Sequence, residues 1–221
     1  AATGEIIFGV PGDGDDIGRC MVADVDPETP GCEVWASGTT LDGKLYSCRG
    51  ELLPKKAPVY KFAGSWTFNM GIWWNGTLNR QMLDRGYVTE YIADNGGSGN
   101  RIFLKEDYGV TTGQGTKNNP VFYGDFWGDW REEMIYVTPD YTELRIFTTN
   151  IETKYRFRPL MYDHVYRLSA THENVGYNQP THPGFYIGSD LLKDENMEIG
   201  PGGIGDWKPE EGEHNGSAYE D

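Results

Sequence analysis

At 221 residues the chain is long enough for one or two domains with a substantial core. Its 34 acidic residues outnumber 19 basic ones, leaving a net charge of −15, and this argues against nucleic acid, whose phosphates need a basic footprint. No apolar run reaches transmembrane length, so a membrane partner is not expected.

Residues 1–8 read as a chain already inside a domain rather than as a signal peptide. From there short β-type runs follow one another at 5–8, 17–25, 33–36, 44–47 and 59–62, then 68–74, 81–83 and 88–92. Further runs stand at 101–104, 121–123, 134–137 and 143–148. Clusters of Gly, Pro, Asn and Asp separate them, as short antiparallel strands require. One helix is expected over residues 162–173, with Val165, Leu168 and His172 on a shared face. The fold class is therefore all-β.

A weak internal repeat refines this reading. Asp24, Asn75 and Asp125 recur at intervals of about 50 residues, each after one strand and before another. Units of that length with about four strands each are the signature of propeller blades. Three units fill the chain to about residue 150, and since a propeller needs at least about four blades to close, further blades are expected on another chain or in a missing N-terminal part. Residues 1–190 then form the C-terminal part of a propeller domain, and residues 191–221 an acidic, Gly-rich tail without periodicity.

Aromatic residues make up 14 % of the chain, with 7 Trp and 14 Tyr. Strands favour such residues, and flat sugar faces also stack on aromatic rings, so carbohydrate binding joins the candidate functions. Cys20, Cys32 and Cys48 show no Cys-x-x-Cys spacing. A Cys32–Cys48 bridge would suit an exported protein, and buried free thiols are the alternative.

Two acidic groups could supply oxygen ligands to Ca²⁺. Asp24 and Asp26 with Glu33 sit around one hairpin loop, and Asp125, Asp129 and Glu133 repeat the arrangement. The competing assignment makes them Asx turns that satisfy backbone N–H groups. Arg19 and Arg131 suit either a carboxylate clamp or a structural ion pair. In Gln114, Gly115, Thr116 and Lys117 a flexible turn offers backbone amides, a hydroxyl and a charge, and Tyr177 lies beside a rigid Asn-Gln-Pro turn. No nucleophile elbow, P-loop or dinucleotide fingerprint is present.

These motifs, in order, resemble one family. Ala23-Asp-Val-Asp-Pro27, Gly128-Asp-Trp-Arg-Glu-Glu133, Thr142-Glu-Leu-Arg-Ile-Phe147 and Asn174-Val-Gly-Tyr-Asn-Gln-Pro180 are similar to the C-terminal part of the family 11 polysaccharide lyases, the rhamnogalacturonan lyases, over residues 4–190. The resemblance implies an eight-bladed β-propeller holding several Ca²⁺ ions, and β-elimination of the rhamnogalacturonan I backbone of pectin. It also implies that the N-terminal blades lie outside this chain. The family's substrate-contacting Asn-Gly-Thr-Lys turn maps to Gln114, Gly115, Thr116 and Lys117, with Gln114 a departure, and its substrate-contacting Tyr maps to Tyr177. Lys117 and Tyr177 are thus the candidate base and carboxylate anchor, in either order. Such an enzyme is expected to be secreted, periplasmic or at the cell surface. The alternative function is a non-catalytic Ca²⁺-binding propeller module that holds an acidic glycan or a partner chain.

Overall fold

The computed structural model describes residues 3–12, 14, 17–38, 41, 43–59, 67–93, 100–113, 118–173, 175, 179–191 and 210–211. Three antiparallel sheets follow one another along the chain. Sheet I takes β1 (Gly18–Ala23), β2 (Glu33–Ser37), β3 (Lys44–Ser47) and β4 (Leu52–Lys56) in sequence order. Sheet II repeats this with β5 (Gly71–Ile72), β6 (Gln81–Asp84), β7 (Tyr87–Thr89) and β8 (Arg101–Leu104). Sheet III holds β9 (Phe122–Gly124), β10 (Glu133–Val137) and β11 (Leu144–Phe147). A short pair, β12 (Tyr155–Arg156) with β13 (Glu210–Glu211), stands apart. Among the described residues the protein is all-β apart from an α-helix and short 3-10 turns, and no sheet closes on itself.

The connections are short because local residues make the turns. Asp84 pairs with Tyr87, and between them Arg85 and Gly86 take φ of 51° and 82°. Two successive positive φ values define the two-residue turn whose twist matches a hairpin.

Each sheet carries the same clamp across its first hairpin. Ala23 faces Glu33, Ile72 faces Gln81 and Gly124 faces Glu133. In each case the facing acid or amide reaches back into the loop with one oxygen and accepts two successive backbone N–H groups. Glu33 Oε2 accepts from Val25 and Asp26 at 2.9 and 3.1 Å, and Gln81 Oε1 from Trp74 and Asn75 at 2.7 and 2.8 Å. Glu133 Oε2 accepts from Phe126 and Trp127 at 3.1 and 3.0 Å. The fully buried bonds, such as those from Val25 and Trp74, would leave a donor orphaned if lost, at a cost of about 1–3 kcal/mol each. The ladder also corrects the register of the repeat: Asp24, Trp73 and Asp125 are equivalent, and Asn75 matches Asp26.

The same positions join one sheet to the next. Arg80 N donates to Asp24 O at 2.8 Å, and Glu132 N donates to Trp73 O at 3.1 Å. Consecutive β6 residues serve opposite cores: Met82 packs with Met21, Trp35 and Phe68 between sheets I and II, and Leu83 with Met70, Tyr123 and Met134 between II and III. Trp35 Nε1 donates to Phe68 O at 2.7 Å across the first joint.

The structure departs from expectation at three elements. Residues 5–8 form no strand; Ile6 and Ile7 are exposed and Phe8 stacks on Tyr46 with centroids 6.3 Å apart. Of residues 59–62, Val59 forms an isolated bridge with Thr67 and the others lie outside the described residues. The helix α1 (His164–His172) buries Tyr166, Ser169 and Ala170, not the expected face, for Val165 and Leu168 are exposed. Asp163 caps it by accepting from Val165 N and Tyr166 N, each at 3.2 Å. β4 escaped sequence reading because Pro54 interrupts it, which an outermost strand tolerates. Among the described residues no helix is long and apolar enough to cross a membrane.

Candidate functional site

Strand β9 lies between the two segments singled out in sequence. Gln114, Gly115, Thr116 and Lys117 precede it and Tyr177 follows helix α1; all five lie outside the described residues. Their flanks are held together. Thr181 N donates to Tyr123 Oη at 3.0 Å, Tyr123 N donates to Glu173 Oε2 at 3.1 Å, and Gln179 N donates to Glu173 O at 3.2 Å. Residues 173 and 179–181 are thereby fastened to the strand that residues 118–121 lead into.

Beneath this junction lies a buried polar network centred on Glu132. Its carboxylate accepts from Trp73 N at 3.0 Å, from Tyr166 Oη at 2.7 Å and from Arg80 Nη2 at 3.2 and 3.3 Å. Arg80 in turn donates to Thr181 O at 2.7 Å, and its guanidinium sits 4.2 Å from the centre of the Trp73 ring. Tyr166 Oη also accepts from Asp125 N at 2.9 Å. The fully buried charges of Arg80 and Glu132 compensate each other, and neither oxygen of Glu132 lacks a donor. Burial pushes the phenols of Tyr123 and Tyr166 upward, so both act as hydroxyls and not as bases. Burial also pushes Glu173 up to about 9, which leaves it protonated at neutral pH.

The two carboxylate triples expected to hold Ca²⁺ take part in hydrogen bonds within the chain. Asp24 accepts from Tyr186 Oη at 2.9 Å, from Ser189 N at 2.5 Å and from Asn79 Nδ2 at 2.5 Å. Asp26 accepts from Thr29 Oγ1 at 2.7 Å and pairs with Lys55 at 2.5 Å. Although burial works against it, the hydrogen bond from Lys55 holds Asp26 below the usual carboxylate range. Glu33 is the hairpin clamp, pushed by burial up to about 8, and Asp24 is pushed the same way to about 6.

In the second triple Asp125 accepts from Gly128 N at 2.8 Å and Leu160 N at 2.5 Å, and Asp129 pairs with Arg131. Glu133 clamps its loop and takes Thr148 Oγ1 at 3.3 Å; burial pushes it up to about 7. Among the described residues no three His, Cys, Asp or Glu side chains are arranged to hold a metal ion. In the structure these carboxylates accept turn and clamp hydrogen bonds, and Glu33 Oε1 is buried without a hydrogen-bond partner. Arg19 and Arg131 likewise serve as structural partners, of Asp84 and Asp129.

Sequence reading gave no role to Arg80, Glu132, Tyr123, Tyr166, Glu173 or Thr181. One signal was available. Adjacent acids opening an apolar strand must point to opposite sides, so one of Glu132 and Glu133 needed a buried cation, and Arg80 holds the equivalent place in the preceding unit.

The family description "Rhamnogalacturonan lyase family 11, C-terminal domain" matches residues 1–197. The chain belongs to this family. It is 41% identical over 193 residues to the rhamnogalacturonan endolyase YesW of Bacillus subtilis (strain 168), covering 87% of this chain and 28% of that protein. It is 38% identical over 205 residues to the rhamnogalacturonan exolyase YesX of the same organism, covering 87% and 32%. The crystal structure of rhamnogalacturonan lyase YesW superposes with a TM-score of 0.74 at 39% identity, over 92% of this chain and 31% of that one. A Bacillus licheniformis rhamnogalacturonan lyase gives a TM-score of 0.70 at 41% identity, over 85% and 29%. The chain thus spans about three-tenths of the length of these family 11 relatives.

Proposed function

We propose that this chain is the C-terminal part of a rhamnogalacturonan lyase that cleaves the pectin backbone by β-elimination. The family match over residues 1–197 carries this reading, supported by relatives that are an endolyase and an exolyase of rhamnogalacturonan. In this reading sheets I, II and III are consecutive blades of a propeller, joined by the repeated bonds from Arg80 to Asp24 and from Glu132 to Trp73.

The open face of sheet I supports the partner assignment. Val22 is 60 % exposed there, and a groove of about 780 Å³ runs over this face between residues 8–10 and 179–187. Exposed apolar side chains beside such a groove suit contact with a further sheet. The remaining blades, on the same polypeptide or a second one, cover it.

β-Elimination removes the C5 proton of galacturonate and expels the 4-linked rhamnose. A base must come within about 3 Å of that proton, and a cation must balance the negative charge growing on the neighbouring carboxylate. Lys117 and Tyr177 take these two parts, with Gln114, Gly115 and Thr116 binding substrate. Ca²⁺ assists by balancing that charge, with Asp24, Asp26 and Glu33 or Asp125, Asp129 and Glu133 as its candidate ligands; chelation followed by assay checks it. A polymeric substrate cannot enter a cell, so the enzyme acts outside the cytoplasm, and fractionation of producing cells checks that.

The deciding experiment incubates the chain with its complementary blades and rhamnogalacturonan I and follows the ultraviolet absorbance of unsaturated uronate. Product is expected, and Lys117→Ala or Tyr177→Phe lowers kcat at least ~10²-fold when that residue is the base. Glycan binding without product would overturn the lyase reading. A change in KM alone would move the residue to substrate binding.

A further inference from the structure

We propose that Cys32 and Cys48 form an intrachain disulfide that staples β2 to β3 in an oxidising compartment. The inference comes from the register of sheet I and rests on no functional reading. Glu33 pairs with Ser47 and Val34 with Tyr46. Cys32 and Cys48 each lie one residue beyond this last ladder pair, where Gly50 N donates to Ser47 O to close the turn after β3.

Alternation fixes the face. Glu33 and Ser47 are buried on the inner face, so Cys32 and Cys48 share the outer face with Val34 and Tyr46. Directly opposed residues in an antiparallel pair, as Glu33 and Ser47 are, have Cα atoms about 4.5–5.5 Å apart, inside the roughly 4.4–6.8 Å span of a disulfide. Two further observations place the sulfurs together. A Cβ built on Gly31 would lie 2.9 Å from Cys48 Sγ, so this sulfur already leans against the residue before Cys32. After burial and the charges of Asp24 and Glu33, Cys48 adds to the upward push on the Cys32 thiol, which places it in the same local field. All three cysteines carry free thiols in the structure, and Cys48 is exposed.

The exchange balances with a small-molecule disulfide such as oxidised glutathione. The Cys48 thiolate attacks one of its sulfurs, and the glutathione S–S bond breaks to release one thiolate. Cys32 then attacks Cys48 Sγ and displaces the second glutathione thiolate. The two cysteine protons end on the released thiolates. Two protein thiols are oxidised and one disulfide is reduced to two thiols.

The bridge would brace a loop that the far end of the chain also grips. Gly31 N donates to Asp190 Oδ2 at 3.0 Å, and Tyr186 and Ser189 hold Asp24 at the start of the same loop.

The test equilibrates the native chain with oxidised glutathione, alkylates remaining thiols and maps the peptides by mass spectrometry. The expected product has lost two hydrogens, links Cys32 to Cys48 and is alkylated at Cys20. Cys20→Ser should keep the bridge and melt several degrees higher when oxidised than when reduced, since a cross-link restricts the unfolded chain. Cys20→Ser/Cys48→Ser should lose both the bridge and the difference. Three alkylatable thiols, a bridge to Cys20, or a glutathione adduct that persists on Cys48 would each overturn the proposal.

Discussion

Sheets I and II share one hairpin clamp, yet Leu83 and Val88 of sheet II are fully buried, whereas Val22 of sheet I is 60 % exposed. Sheet III resembles sheet I in this respect, with Leu144 and Ile146 66 and 47 % exposed on β11. The middle sheet is buried on both sides because it has a neighbour on each. The outer two carry exposed apolar side chains on the face turned away from sheet II. The difference teaches that a sheet in this chain loses its exposed apolar side chains where a second sheet packs on it, as sheet II does on both sides.

The largest effect should come from the joint between sheets II and III. Glu132→Ala leaves Arg80 buried without its counter-charge and should cost about 3–5 kcal/mol, read from urea unfolding. A cost under about 1 kcal/mol would mean that the network does not hold this joint. The clamp comes next. Gln81→Ala in the middle should cost about 1–3 kcal/mol by removing the acceptor of Trp74 N and Asn75 N, and Glu133→Ala at the edge should cost less, because Phe126 N keeps Gly124 O and Trp127 is exposed. Glu33→Gln and Glu133→Gln should be near neutral, because Gln81 shows that an amide oxygen serves equally well. A large loss in either Gln variant, reversed by added Ca²⁺, would support the metal-ligand reading.

The pH dependence follows the buried acids. Glu173 is raised from 4.5 to about 9, so in the folded state it binds its proton more tightly than in the unfolded chain. Its contribution is complete below about pH 4.5 and is lost as pH rises through about 9. The urea midpoint should therefore fall over this window, and Glu173→Gln should flatten the fall. A midpoint that climbs with pH in this range would contradict it. The smallest effect on the isolated chain should come from Val22→Asp, within about 0.5 kcal/mol for an exposed site. The same variant should abolish association with the complementary blades in size-exclusion chromatography. Unimpaired association would mean that the open face of sheet I is not the contact.

Much of this architecture was legible in the sequence, and for particular reasons. Residues 44–47 and 101–104 were placed as strands to the residue, because turn residues bound their apolar alternation. The interval of about 50 residues located all three first hairpins. Its register slipped by two positions at Asn75, because in sheet II a tryptophan occupies the place that an aspartate holds in the others. The acids around the hairpins were legible as clustered but not as employed. The sequence shows that Asp24 and Glu33 are close in the chain, and only the structure shows that Asp24 accepts from Ser189 and Glu33 Oε2 from the loop amides. The network around Glu132 was illegible for a related reason: Arg80, Thr181 and Tyr166 are brought together from distant parts of the chain by packing that leaves no local pattern.

The segment 179–191 has a consequence for how the molecule is made. It touches sheet III through Tyr123, sheet II through Arg80, and sheet I through Asp24 and Gly31. The residues of all three sheets are therefore synthesised before the strap that ties them together. A nascent chain halted near residue 150 holds three hairpin stacks whose Asp24 and Glu132 still lack Ser189 and Thr181 as donors. Its final locking is a late, single event, so a stop codon that removes only the strap should cost far more folded protein than its length suggests.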